Sequence, residues 1–174
     1  PVRAFLWLRN QLLKQADVFI GLSKEITQEF TNYGIAQNKI NLIPNSVDTT
    51  VFHPVPTPKK SELRKKLGIK LDYKIFIYTG RLLETKGLPL LIKVWRKIRT
   101  EHDQCQLLIV GGGSKDIHDC EEEIKQYVES NCLEDSVKFT GNVTNVQEYL
   151  QASDIFVFPT ENEAFGLSLI EAMA

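Results

Sequence analysis

Cysteine is scarce in this sequence. Cys105, Cys120 and Cys132 are the only three, an odd number with no CxxC spacing, so a reduced interior is expected rather than a disulfide scaffold. His118 and Cys120 form a lone H-x-C, and His53 and His102 lie far away in sequence, too sparse a set for a zinc site. No run approaches the roughly 18 apolar residues of a membrane span, and no charged-then-apolar leader is present. The stretch is therefore expected neither to export itself nor to cross a bilayer. A net charge of −1, with 25% charged residues, leaves no global field pointing to nucleic acid, and no block of like charges resembles a disordered tail. Two nucleotide motifs are also missing. G-x-G-x-x-G needs a glycine three places after Gly113, where Asp116 stands. A P-loop needs glycine beside Lys115, where Ser114 stands, and Ser or Thr at 116.

What is present suits a globular α/β chain. Apolar residues make up 43% of the 174, enough for a substantial core. From Lys74 onward, strand-like and helix-like runs alternate. KIFIYTG (74 to 80) is followed by Leu88, Leu91, Ile92, Trp95 and Ile98 at helical spacing, and QLLIVGGG (106 to 113) by a helix expected from Asp116 to Ser130, with Ile117, Ile124, Tyr127 and Val128 on its apolar face. SVKFTG (136 to 141) precedes a short helix over 146 to 151, and DIFVFPT (154 to 160) a last helix containing Glu171. Short, nearly unbroken Ile, Leu, Val and Phe runs suit strands covered on both faces. The pattern predicts a doubly wound parallel sheet, whose ligands bind beyond the carboxyl ends of the strands. Gly80, Gly111 to Gly113, Gly141 and Gly166 all fall on that rim.

Residues 1 to 52 read as a smaller leading αβαβ piece. A helix is expected from Arg3 to Gln15, a strand over DVFIGLS (17 to 23) ending at a Ser N-cap, a second helix stopping at Gly34, and a strand in KINLIP (39 to 44). VPTPKK (55 to 60), with two prolines, reads as a linker. Charge is uneven. PKKSELRKKLGIK (58 to 70) carries six Lys or Arg against one Glu, and residues 115 to 135 carry eight acids against two bases. Both read as solvated helix faces; no basic amphipathic helix carries a claim of membrane contact, and the Lys-rich segment over 59 to 70 is the one candidate for it.

Arg81 and Lys86 leave the first strand of the larger unit on one loop, TGRLLETKG (79 to 87). Arg offers a planar fork for phosphate oxygens and Lys a compact point charge, so the pair makes an anion site. In ENEAFGLSLIEAMA (161 to 174), Glu163 precedes a helix starting near Phe165 or Gly166 and Glu171 lies on it. Helical side chains lean toward the N-terminus, so Glu171 can reach back to the rim that holds Glu163. A carboxylate suits a vicinal diol, which fits Glu171 to a ribose and Glu163 to a sugar hydroxyl. Free N–H groups at Phe165, Gly166 and Leu167 can dock hydroxyls or phosphate. The plain alternative is a helix-dipole acid at Glu163 and an exposed helical one at Glu171.

TGRLLETKG, LLIVGGG, VKFTGNV and above all the E-x7-E of ENEAFGLSLIEAMA resemble the donor-binding half of the retaining GT-B glycosyltransferases of the GT4 family. KINLIPNSVDTTVFHP resembles that family's interdomain segment, with Ser46 where glycine is usual. The resemblance implies a Rossmann-like α/β half of a GT-B enzyme, truncated: 1–44 a remnant of the acceptor-binding domain with its hinge, 45–71 a linker with a short helix, and 72–174 an incomplete donor domain. It implies diphosphate contacts at Arg81 and Lys86, ribose at Glu171, the transferred sugar at Glu163, sugar or phosphate at the backbone of Phe165, Gly166 and Leu167, and the nucleobase near Asn142 and Val143. The catalytic set would be Arg81, Lys86 and Glu163. The donor would be a UDP-, GDP- or ADP-sugar. The acceptor would be a carbohydrate, lipid or small molecule, the product a polysaccharide, glycolipid or small glycoside. No cofactor and no nucleic acid partner are expected, and the setting is cytoplasmic, at the inner face of a membrane where the longer protein is membrane-associated. No D-x-D occurs, so a metal-independent reaction is expected, with retention by front-side attack. A complete domain of this type continues beyond EAMA, so the chain is expected to bind donor weakly at most and not to turn over. Rivals of the same fold are a sugar-nucleotide epimerase and a phosphorylase. From another class comes a non-catalytic sugar-nucleotide-binding or scaffold protein.

Overall fold

The structure of the protein, a computed structural model, describes residues 11–13, 15–114, 117–161, 163 and 165–174. It divides into two compact units. One ends at Ser46 and also takes in Phe165, Gly166 and Leu167; the other runs from Val47 to Glu163 and resumes at Ser168.

In the first unit, β1 (Phe19–Gly21) pairs in parallel with β2 (Ile40–Leu42), joined by α1 (Lys24–Asn32). The expected start signal is met: the Ser23 hydroxyl accepts the Ile26 N–H at 3.3 Å. Gly34, with φ 78, takes the left-handed turn after the helix. Phe19 packs on Phe30 with ring centroids 5.4 Å apart. Of the helix expected over residues 3 to 15, residues 3–10 and 14 lie outside the described residues, and 11–13 are helical.

The second unit opens with α2 (Thr57–Lys66), so the two prolines of VPTPKK mark a helix start and not a linker. Pro56 stands at the cap and Pro58 in the first turn, where a missing N–H costs nothing. A four-stranded parallel sheet follows in the order β5-β4-β3-β6, comprising β3 (Lys74–Thr79), β4 (Cys105–Val110), β5 (Val137–Gly141) and the edge strand β6 (Ile155–Phe156). The helices between them are α3 (Leu88–Glu101), α4 (Glu121–Ser130) and α5 (Val146–Ala152), and α6 (Leu167–Met173) comes last. Period-2 alternation sorts the strands onto two cores. Tyr78, Leu107 and Ile109 face Leu88, Ile92, Trp95, Ile124 and Val128 of α3 and α4. Ile75, Ile77, Leu108 and Val110 face Leu63 and Ala152 of α2 and α5. β4 is buried along its whole length, as a strand covered on both faces must be. Each fully buried large apolar side chain contributes about 1.5–3 kcal/mol.

Three expectations are corrected. The helix expected from Asp116 begins only at Glu121, and Ile117 is 93% exposed, not part of an apolar face. Residues 118 to 120 are instead drawn out along the Arg81 loop: the Glu84 N–H donates to the His118 carbonyl, the Cys120 N–H to the Leu82 carbonyl, and Leu83 bridges Asp119. The strand expected over 154 to 160 keeps two ladder residues, paired with β3 at the sheet edge. The basic run at 58 to 70 is not simply a solvated face. Arg64 is buried at 7% exposure, Lys60 and Arg64 bind Asp154, and Lys66 binds Glu148.

Candidate functional site

The chain leaves β3 for β4 and then β5 on one side, and returns to place β6 on the other. The loops after β3 and β6 therefore flank the point where strand order reverses, the crevice in which open α/β sheets bind ligands. Arg81 and Lys86 are on the first of these loops, Glu163 on the second.

Close backbone approaches fix that rim. A Cβ on Gly111 would lie 1.9 Å from the Gly80 carbonyl oxygen, and the Gly111 N–H donates to the Gly141 carbonyl at 3.0 Å. The glycine turns after three strands thus meet, as expected of Gly80, Gly111 and Gly141. Gly87, with φ 74, allows a second approach: a Cβ there would lie 2.2 Å from the Pro159 carbonyl oxygen. Thr160 adds a hydroxyl donation to the Thr85 carbonyl at 3.4 Å. Together they press the loop after β6 against the start of α3.

The result is an ion pair between Lys86 Nζ and Glu163 Oε2, with side chains 19% and 30% exposed. Arg81 is exposed and carries no ion pair or side-chain hydrogen bond among the described residues. Its backbone is held from below, where the Tyr78 hydroxyl donates to the Arg81 carbonyl at 2.8 Å. Burial raises the Tyr78 phenol strongly, and the Cys120 and Glu163 charges add to the shift while Arg81 opposes it. Tyr78 thus lies within electrostatic reach of both Arg81 and Glu163. Next to Gly80, the Thr79 hydroxyl is buried with no hydrogen-bond partner among the described residues.

The glycine run after β4 has its own anions. The Gly113 N–H donates to Glu121 at 2.6 Å, the Ser114 N–H to Asp119 at 2.8 Å, and the Glu121 N–H to Asp119 at 2.9 Å. Glu121 is lowered by its Lys125 and Gly113 hydrogen bonds. Burial, helped by Glu123, Asp119 and Glu84, pushes the Cys120 thiol up to about 11. Sequence reasoning missed Tyr78, Asp119 and Glu121. For Tyr78 a signal existed, since a phenol in an apolar strand needs a partner for its hydroxyl.

Among the remaining expected residues, exposed Asn142 sits beside Gly112, where a Cβ would lie 3.0 Å from its Nδ2. Val143 packs against the core shared by α2 and α5. Phe165, Gly166 and Leu167 belong to the first unit; Gly166 is left-handed at φ 81 and Leu167 opens α6. Glu171 forms no hydrogen bond or ion pair with Arg81, Lys86 or Glu163. It lines a cleft of about 260 Å³ with His53, Lys60, Gln151 and Met173, where burial raises its carboxyl. The structure therefore pairs Lys86 with Glu163 and sets Arg81 on the same loop as Lys86.

The profile of the family described as glycosyl transferases group 1 matches residues 59–174. Mannosylfructose-phosphate synthase of Agrobacterium fabrum is 32% identical over 148 residues, covering 82% of this chain and 32% of that protein. N-acetyl-alpha-D-glucosaminyl L-malate synthase of Bacillus anthracis is 33% identical over 163 residues, covering 93% of this chain and 40% of that one. Among solved structures, Anabaena HepE in complex with UDP-glucose superposes with a TM-score of 0.81 at 24% identity, over 97% of this chain and 45% of that chain. Sucrose-phosphate synthase of Thermosynechococcus elongatus gives 0.75 at 27% identity, over 98% and 42%. The chain spans less than half the length of each of these proteins.

Proposed function

Because the chain belongs to the glycosyl transferases group 1 family, we propose that the protein transfers a sugar from a nucleoside-diphosphate donor to an acceptor, and that this stretch supplies the donor's diphosphate site. The observation that carries the reading is the meeting of Lys86 with Glu163 at the switch between β3 and β6, on the same loop as the exposed Arg81. In this reading Arg81 and Lys86 hold the diphosphate. Breaking the sugar–phosphate bond builds negative charge on the leaving group, so fixed cations there bind the transition state more tightly than the ground state. These two side chains supply that charge without a metal. Glu163 faces the transferred sugar, Glu171 the ribose, the backbone of Phe165, Gly166 and Leu167 the sugar or phosphate, and Asn142 and Val143 the base. Attack from the leaving-group side retains the anomeric configuration. A UDP-sugar is the first donor to try, because the HepE complexes hold UDP and UDP-glucose.

The experiment is calorimetric titration of the whole protein with UDP-, GDP- and ADP-sugars, repeated for Arg81→Ala and Lys86→Ala, with sugar transfer followed by mass spectrometry. One donor should bind, each substitution should weaken it about tenfold or more, and transfer should proceed with excess EDTA present. Donor binding that survives both substitutions unchanged would overturn the assignment.

A further inference from the structure

We propose that Glu163 is an intramolecular competitor for Lys86, so that the donor site exchanges one anion for another each time it fills and empties. The inference rests on the donor reading above and goes beyond it, because it assigns Glu163 a part in binding and release of the diphosphate as well as in holding the sugar.

The two cations of the loop are not equivalent. Arg81 is exposed and unpaired among the described residues, whereas Lys86 is mostly covered and already bound to a carboxylate. An arriving diphosphate therefore meets Arg81 first. To gain Lys86 it must displace Glu163, since a compact ammonium shared by two anionic partners leaves them repelling each other at short range. Displacement frees the Glu163 carboxylate at the moment the sugar is delivered, next to hydroxyls it can accept from. After transfer, the remaining nucleoside diphosphate has no sugar to occupy Glu163. The carboxylate returns to Lys86 and weakens the hold on the product.

The loops are built for this exchange. Lys86 is fixed at its base by the 3-10 turn Glu84–Lys86, the left-handed Gly87 behind it, and the Pro159 and Thr160 contacts. Glu163 lies three residues beyond Thr160 and six beyond Val157, whose N–H makes the last described backbone bond to β3, with the Ile77 carbonyl at 2.7 Å. The acid can move while the cation stays.

The test is calorimetric titration of the whole protein with UDP, GDP and ADP, with uridine, guanosine and adenosine as phosphate-free controls. Wild type is compared with Glu163→Gln, Lys86→Ala and the double variant. Glu163→Gln removes the competing charge and keeps the side-chain shape, so it should tighten nucleoside-diphosphate binding about two- to fivefold and leave nucleoside binding unchanged. Lys86→Ala should weaken the diphosphate, and in that background Glu163→Gln should give no gain. If Lys86→Ala weakens binding while Glu163→Gln leaves it unchanged or weaker, the competition is wrong and the donor site stands. If Lys86→Ala has no effect on any of the three, the donor site itself is wrong and the competition falls with it.

Discussion

Arg64 donates from Nη2 to the Asp154 carboxylate at 2.8 Å, and from its other nitrogens to the carbonyls of Ala152, Leu71 and Tyr73. One guanidinium thereby gathers the end of α5, the turn before β3 and the start of β6. Asp154 also accepts from Lys60 and from the Ile75 N–H.

Removing the carboxylate leaves a buried cation without its counter-charge. Asp154→Ala is expected to cost about 3 kcal/mol in urea denaturation. Burial works to raise the Asp154 carboxyl, but the Ile75 N–H, Lys60 and Arg64 outweigh it and the net shift is downward. A lowered folded-state value means stability that is present above the ordinary aspartate value and lost as the pH falls through the folded one. The wild type should therefore lose stability below about pH 4, and Asp154→Ala should lose less over the same range.

Gly111 is expected to tolerate no side chain. Alanine there must place its Cβ 1.9 Å from a backbone oxygen at φ 134, and the destabilisation should reach about 2–4 kcal/mol. Gly141 is the control: its φ of 67 is left-handed, but nothing lies within 4 Å of a Cβ. Gly141→Ala should cost only about 1–2 kcal/mol. Equal losses at the two positions in denaturant melts would contradict the close approach.

Glu171 is expected to oppose folding at neutral pH. Its carboxyl is raised by burial, so the penalty of the charged form is present above the folded value and vanishes below the unfolded one. Glu171→Gln should raise the melting temperature at pH 7, and the gain should disappear as the solution approaches pH 4. A melting temperature unchanged at pH 7 would contradict the burial.

Cys132 is the only non-glycine residue with positive φ among the described residues, at 53. It closes α4: the Cys132 N–H donates to the Glu129 carbonyl at 3.1 Å and the Leu133 N–H to the Val128 carbonyl at 3.0 Å. Glycine suits such a helix end better. Cys132→Gly is expected to stabilise by about 0.5–1 kcal/mol in chemical denaturation.

The sequence made legible what depends on local pattern. Leu88, Leu91, Ile92 and Trp95 recur at helical spacing and are all buried on α3, and the glycine-ended apolar runs became β3 and β4. The meeting of Lys86 with Glu163 could be anticipated because loops after parallel strands share a rim. Longer-range hydrogen bonds left no such pattern. Nothing near Ile117 announces that residues 118 to 120 are held by Leu82 and Glu84, and nothing in a Lys-rich helix announces that Arg64 turns inward to an aspartate far along the chain. Proline misled for a related reason, since two prolines suit a helix start as well as a linker.

The glycine turn at 113 and 114 carries its counter-ion within its own covalent chain. A turn that waited for an inorganic guest would slacken whenever the guest departed. With Asp119 and Glu121 supplying the carboxylates, its amides stay satisfied whatever salts surround the molecule, and the neighbouring arginine turn rests on a support that never empties.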